Sequence, residues 1–184
     1  MRTLAIVSVF AACLGVPAFG QQQSFSPDNL APYIPTTQSL VEKMLEAANV
    51  RPSDVVYDLG SGDGRIVITA ARKFGAKAVG VELSENLCES SRRRIKTMGL
   101  DDKVTIVQGN ILKTDLSPAS VVTLYLLTSS NERLRPLFEK YLKPGARVVS
   151  NDYPIRGWRE SRLLMVRAGS AEHRIYVYEV GRTN

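Results

Sequence analysis

The sequence predicts an α/β fold built on a mainly parallel sheet with helices on both faces. Three observations predict it. Strand-like and helix-like segments alternate five times up to about residue 150, the order expected when helices cross over a parallel sheet. Residues 121–127 are almost continuously apolar, as a strand buried on both faces must be. Residues 54–58 read as a strand that runs through Leu59 into Gly60-Ser61-Gly62-Asp63-Gly64, a turn of alternating glycines ahead of a helix start.

Each element follows from local pattern. Leu40, Val41, Met44, Leu45 and Ala48 repeat at helical spacing, with Thr37 as the cap. Pro52 and Ser53 lead into a strand over residues 54–58. Ile66, Val67, Ala70, Ala71 and Phe74 make the next helical stripe, closed by Gly75. Residues 78–83 read as the second strand. Ser84 is an N-cap for a helix whose inner face carries Leu87, Cys88, Ser91, Ile95 and Met98, stopped by Gly99. The third and fourth strands fall at 104–107 and 121–127. Leu134, Leu137, Phe138 and Tyr141 keep helical spacing, but proline belongs in a first turn, so Pro136 places the start of the regular helix near Arg135 with an irregular lead-in over 131–134. Lys143-Pro144-Gly145 is a turn before a fifth strand at 146–150. Two further strand-like stretches, 162–166 and 174–180, are joined by a short turn containing glycine.

The chain has 184 residues, enough for one domain with a sizeable core, and a net charge of +6. A basic balance suits a nucleic acid, an anionic lipid or an acidic partner, and equally a plain basic surface. The run Arg92-Arg93-Arg94 with Lys96 has no interleaved aromatics, so it reads as a solvated helix face and a nucleic-acid partner is not expected. Residues 1–20 resemble an export signal: Arg2, then an apolar run over 4–16, then Ala18-Phe19-Gly20 before a cut at Gln21. An uncleaved membrane anchor is the alternative, and a lipid attached at Cys13 is disfavoured by Phe10. Residues 21–35 read as a linker or arm and 36–184 as the functional domain. With Cys13 in the signal, Cys88 stands alone and no internal disulfide forms. His173 is the single histidine, expected in a strand far from the glycine turn in a structural or exposed role, so neither a Ser-His-Asp nucleophile nor a metal site is expected.

In open α/β sheets, ligands bind beyond the carboxyl ends of the strands. The polar residues of this chain collect there: Asp58 and the glycine turn, Glu82, Asn110, Tyr125, and Asn151-Asp152-Tyr153. A carboxylate at position 58 serves a phosphate poorly. It suits S-adenosylmethionine, which carries an amino group, a ribose and a sulfonium but no phosphate. Glu82 can accept from ribose hydroxyls and Asn110 can pair with an adenine edge. A dinucleotide fits less well, because the third glycine of its fingerprint would fall on Arg65.

The run Asp58-Leu59-Gly60-Ser61-Gly62-Asp63-Gly64-Arg65, with Glu82 and Asn110 downstream, resembles class I SAM-dependent methyltransferases. Tyr33-Ile34-Pro35-Thr36 and residues 58–68, 121–127 and 134–147 narrow this to the small bacterial relatives of the ATP-synthase-c-subunit and adenine-nucleotide-translocase lysine methyltransferases. The resemblance implies a Rossmann-like, seven-stranded sheet ending in an antiparallel hairpin, SAM as cofactor, and methyl transfer to a protein lysine. The expected cofactor residues are Asp58, Gly60, Ser61, Gly62, Asp63, Gly64, Glu82, Leu83, Asn110, Ile111 and Tyr125. Many relatives have aspartate where this chain has Asn110.

No catalytic residue is fixed by the sequence. Asp152 is the candidate for orienting or deprotonating an amine, and Asn151, Tyr153, Pro154 and Trp158 are the candidate substrate residues, with Tyr125, Tyr153 and Trp158 able to attract a cation. Packing at the sheet edge is the competing role for these aromatics. Three functions stay open: a protein-lysine methyltransferase, acting on a membrane-associated substrate or a free one, a small-molecule N- or O-methyltransferase, and a non-catalytic SAM-binding module. Export or membrane anchoring sits awkwardly with a cofactor made in the cytoplasm.

Overall fold

The computed structural model describes residues 30–181; the expected export segment, Cys13 and most of the expected arm lie outside them. The elements are α1 (Gln38–Ala47), β1 (Val55–Leu59), α2 (Arg65–Phe74), β2 (Lys77–Glu82), α3 (Glu85–Thr97), β3 (Val104–Gln108), a 3-10 turn (Ile111–Lys113), β4 (Val121–Leu124), α4 (Thr128–Tyr141), β5 (Arg147–Asn151), β6 (Arg162–Ala168) and β7 (Ala171–Glu179). They form one seven-stranded sheet in the order β3-β2-β1-β4-β5-β7-β6. The strands β1 to β5 are mutually parallel where they pair, and β7 enters antiparallel between β5 and β6. Strand order reverses between β1 and β4, the position where such sheets open a crevice.

The core has two layers. On one face Leu40, Met44, Val67, Ala70, Cys88 and Ile95 pack α1, α2 and α3 against the sheet. On the other, Leu134 and Phe138 of α4 meet Leu124, Val148, Ile155 and Tyr178. Cys88 is fully buried in the first layer, as a small hydrophobe. Among the described residues no helix is long and apolar enough to cross a membrane.

The boundaries at β4 and α4 differ most from those the sequence predicts. The strand β4 stops at Leu124, and residues 125–127 turn into α4. The helix α4 begins at Thr128 and carries Pro136 in its interior, so residues 131–134 are regular helix. Tertiary hydrogen bonds hold that first turn in place: Ser130 Oγ donates to the Leu30 carbonyl, and Asn131 Nδ2 donates to Ser150 Oγ (3.2 Å) and the Tyr153 carbonyl (2.9 Å). They offset the one helical bond that proline removes. The final hairpin is longer than expected, tightening around Gly169 at φ +66°.

The end of the sheet opposite the crevice is stapled. Ser120 Oγ (2.7 Å) and the Arg51 N–H (2.7 Å) donate to the Asp54 carboxylate, which also pairs with Arg147. Arg147 caps the carbonyls of Ala48 and Asn49 at the end of α1. Burial works to raise the Asp54 pKa, but these hydrogen bonds and the guanidinium hold it below the usual carboxylate range.

Gly80 in β2 is a position the sequence did not single out. A Cβ there would lie 2.6 Å from Ser61 Oγ, 2.8 Å from Ser61 Cβ and 2.8 Å from Ile106 Cδ1. The Ser61 Cβ cannot swing away, because the Ser61 backbone is fixed in the glycine turn. Gly80→Ala is expected to cost about 1–3 kcal/mol as an overpacked core, lowering Tm by roughly 2–10 °C, and to weaken cofactor binding by displacing Ser61. Thermal unfolding with and without S-adenosylhomocysteine checks both effects.

Candidate active site

The glycine turn is bent over β2 and tied on several sides. The N–H groups of Gly60 (2.8 Å) and Ser61 (3.0 Å) both donate to the Val81 carbonyl. Gly60 and Gly62 have φ of +83° and +53°, conformations that side-chain-bearing residues rarely adopt. Gly64, also left-handed, packs onto Ser91 of α3, whose hydroxyl donates to the Gly62 carbonyl (3.0 Å).

This turn borders a cavity of about 360 Å³, within the usual range for small-molecule sites. Its walls include Asp58, Gly60, Ser61, Gly62, Asp63, Glu82, Leu83, Ile111 and Tyr125, so the structure brings together nine of the eleven expected cofactor residues. The other two serve the walls from behind. Gly64 carries the turn against α3, and Asn110 Oδ1 caps the 3-10 turn by accepting from the Leu112 N–H (2.8 Å).

Residues 30–36, most of which the sequence predicts to be linker or arm, form a further wall. The Tyr33 ring lies over Gly62, where a Cβ would stand 2.5 Å from a ring carbon. Arg65 pins the strap by donating to the Thr36 carbonyl while holding Asp63 in an ion pair (2.7 Å). The Tyr33-Ile34-Pro35-Thr36 motif was the available signal for this wall.

The electrostatics select the ligand. Three carboxylates, Asp58, Asp63 and Glu82, face one guanidinium, Arg65, around the cavity. Asp63 also accepts from the Arg65 N–H (3.2 Å), so the start of α2 already carries a carboxylate where a phosphate would bind. Asp58 is buried at the end of β1 and accepts from Thr123 Oγ1 (2.7 Å); among the described residues no cationic side chain pairs with it. Burial pushes its pKa up to about 7, with the nearby Glu82 and Asp63 charges adding to the rise. Glu82 is held at the rim by two backbone donors, Gly62 N–H to Oε2 (2.8 Å) and Ser84 N–H to Oε1 (2.9 Å). The buried Ser61 Oγ has no hydrogen-bond partner among the described residues. An acidic, glycine-floored cavity with an uncompensated buried carboxyl fits a cationic adenosyl ligand and opposes a pyrophosphate.

A second group of polar residues adjoins Tyr125. The Asp152 carboxylate lies beside the Tyr125 phenol. Burial chiefly raises the pKa of that phenol, helped by the charge of Asp152. His173 Nδ1 lies 2.8 Å from Asp152 Oδ2, and the Arg174 N–H donates to Oδ1 (2.9 Å). His173 lies in a strand, as expected, in the structural rather than the exposed role. Insertion of β7 beside β5 carries it to the crevice end of the sheet, where it is largely buried rather than exposed. Asn151 and Tyr153 belong to the same group, and Pro154 follows in the chain. Trp158 does not: its ring packs on Phe138 and Tyr178, each 5.9 Å between centroids, and its Nε1 donates to Glu139 (3.2 Å). It has a packing role at the sheet edge. The arginines of α3 are engaged as well: Arg92 with the Ile106 carbonyl (2.9 Å), Arg93 with Glu89 (3.4 Å) and Arg94 with Asp63 (3.5 Å).

Fold and site together define a class I SAM-dependent methyltransferase. Comparison with known proteins narrows the assignment. The signature of the ANTKMT methyltransferase domain matches residues 58–162, and the chain belongs to that family. It is 47% identical to a protein-lysine N-methyltransferase of Saccharolobus islandicus (strain REY15A), over 82% of this chain and 94% of that protein. It is 31% identical to the adenine nucleotide translocase lysine N-methyltransferase of Mus musculus, over 81% of this chain and 63% of the mouse protein. Among solved structures, an RNA methyltransferase from Salinibacter ruber in complex with S-adenosyl-L-homocysteine superposes with a TM-score of 0.76 at 42% identity, covering 82% of this chain and 96% of that one. The cofactor is S-adenosylmethionine.

Proposed function

We propose that this enzyme methylates the ε-amine of lysine in a protein substrate. The observation that carries the reading is the 47% identity to a protein-lysine N-methyltransferase along nearly that protein's whole length. The cofactor, when bound, supplies an electrophilic methyl group on a sulfonium. The chain's own residues supply position. Asp58, Ser61, Gly62 and Glu82 would hold the cofactor, and the strap over residues 30–36 shields it from water on one side. The acceptor amine must arrive with a free lone pair, although its ordinary pKa is about 10.4. Holding the amine in line with the methyl group is then the main source of rate. Tyr125, like any phenol, is protonated at neutral pH; burial and the Asp152 charge shift it further upward, so it is a hydrogen-bond donor beside Asp152.

A second reading, methylation of RNA, has one observation in its favour: the name carried by the Salinibacter ruber structure. Against it, Arg92, Arg93 and Arg94 are already paired within the fold. The test is incubation of the purified enzyme with methyl-labelled SAM and host extract. Label removed by protease and mapped to lysine is the expected result. Label removed by ribonuclease alone replaces lysine with RNA as the acceptor.

A further inference from the structure

Nothing in the cofactor site explains the group around Asp152. Asp152 sits just past β5 with φ +59°, a left-handed conformation unusual for a residue with a side chain. Its own N–H donates to the Arg174 carbonyl (2.7 Å), and its carboxylate accepts from the Arg174 N–H (2.9 Å) and Asn151 Nδ2 (3.1 Å), with His173 Nδ1 at 2.8 Å. A strained backbone held by this many ties fixes one orientation of one side chain. Tyr125 is the shared wall: it lines the cofactor cavity, and its phenol meets Asp152. The Tyr153 ring stands 6.3 Å from that of Tyr125, centroid to centroid.

We propose that Asp152, Tyr125 and Tyr153 form the seat of the acceptor amine, and that His173 is a positioning residue that fixes the Asp152 carboxylate. The proposal deepens the lysine reading and rests on it. A carboxylate beside two aromatic rings is complementary to an ammonium group, and it is poorly suited to a nucleic-acid backbone. His173 acts through Asp152. With Nδ1 protonated it donates to Oδ2, and together with the Arg174 N–H on Oδ1 it fixes the carboxylate beside Tyr125.

The test compares Asp152→Asn, His173→Leu and His173→Asn in the full chain, with poly-L-lysine and host protein extract as acceptors. S-adenosylhomocysteine binding is measured by calorimetry on each variant. Asparagine places an amide N–H near the position of Nδ1, so it restores the bond to Asp152. Asp152→Asn is expected to lower kcat/KM for the acceptor about 100-fold or more, and His173→Leu about 10- to 100-fold, the worth of a hydrogen bond to a charged group. His173→Asn should recover most of that loss, and all three variants should bind S-adenosylhomocysteine within about threefold of wild type, since none touches the glycine turn. Wild-type rates in His173→Leu overturn the positioning role. So does a loss of cofactor binding and activity in parallel that His173→Asn fails to rescue. A wild-type enzyme that labels RNA and neither amine acceptor overturns the lysine reading, and the seat with it.

Discussion

Glu82→Ala is expected to weaken binding of S-adenosylmethionine and S-adenosylhomocysteine at least about 100-fold, because hydrogen bonds to a charged group contribute about 1.5–3 kcal/mol each. In the free protein the carboxylate already accepts from the Gly62 and Ser84 N–H groups. Alanine therefore removes the clamp that fixes the turn as well as the acceptors that would face the ribose. Glu82→Gln keeps one acceptor oxygen and should fall between wild type and alanine. Calorimetric titration with S-adenosylhomocysteine checks the series, since it reads binding without turnover. An alanine variant that binds within about threefold of wild type would remove Glu82 from the cofactor site. The substitution has a second consequence. Glu82 contributes to the raised pKa of Asp58, so its loss should shift the pH dependence of binding to lower pH.

Asp58→Asn is expected to move stability and binding in opposite directions. The native pKa of Asp58, about 7, stands above the ordinary carboxylate value. The folded state thus binds this proton more tightly than the unfolded chain does. The associated stabilisation is complete below the ordinary carboxylate range and is lost as pH rises through about 7. At pH 8 the cofactor-free protein carries a buried, ionised carboxylate, and the neutral amide relieves it. Tm of the free variant should rise by several degrees at pH 8 and change little at pH 5. Binding responds the other way, because a cationic ligand favours the ionised form that asparagine cannot supply. In the wild type, affinity should fall about tenfold between pH 8 and pH 6 as Asp58 takes up its proton, and the variant should lose this dependence. A variant that is less stable than wild type at pH 8, or that keeps the wild-type pH profile of binding, contradicts this account.

The legible parts of the fold were those where one requirement dictates residue type. Val56, Val121, Val122 and Leu124 lie in strands buried on both faces, and an unbroken apolar run records that directly. Gly60 and Gly62 needed a backbone conformation that few other residues accept, so the turn announced itself. The early start of α4 was hidden because Ser130 and Asn131 are held by Leu30, Ser150 and Tyr153, partners remote in sequence, while Pro136 argued locally for a break. Gly80 escaped notice because its neighbour Ser61 lies on another segment, and a single glycine in a strand has no periodic signature. The pairing of Asp152 with His173 depends on the register of an antiparallel strand slotted between two others. Local pattern gives the strand but not its slot, so histidine and carboxylate remained separate in the sequence reading. Trp158 was the opposite case, where residue type suggested a ligand contact and packing on Phe138 and Tyr178 claimed the ring.

The placement of β7 bears on when the enzyme can begin to work. The glycine turn and its strap come from the first half of the chain, but Asp152 is braced by His173 and Arg174 from the strand made last and threaded into an interior position. A nascent chain still short of that strand lacks Ile175, Val177 and Tyr178, core residues on both faces of the sheet, together with the brace on Asp152. A product truncated before residue 171 is therefore expected to lose the folded core and the activity together rather than to remain as a weak catalyst.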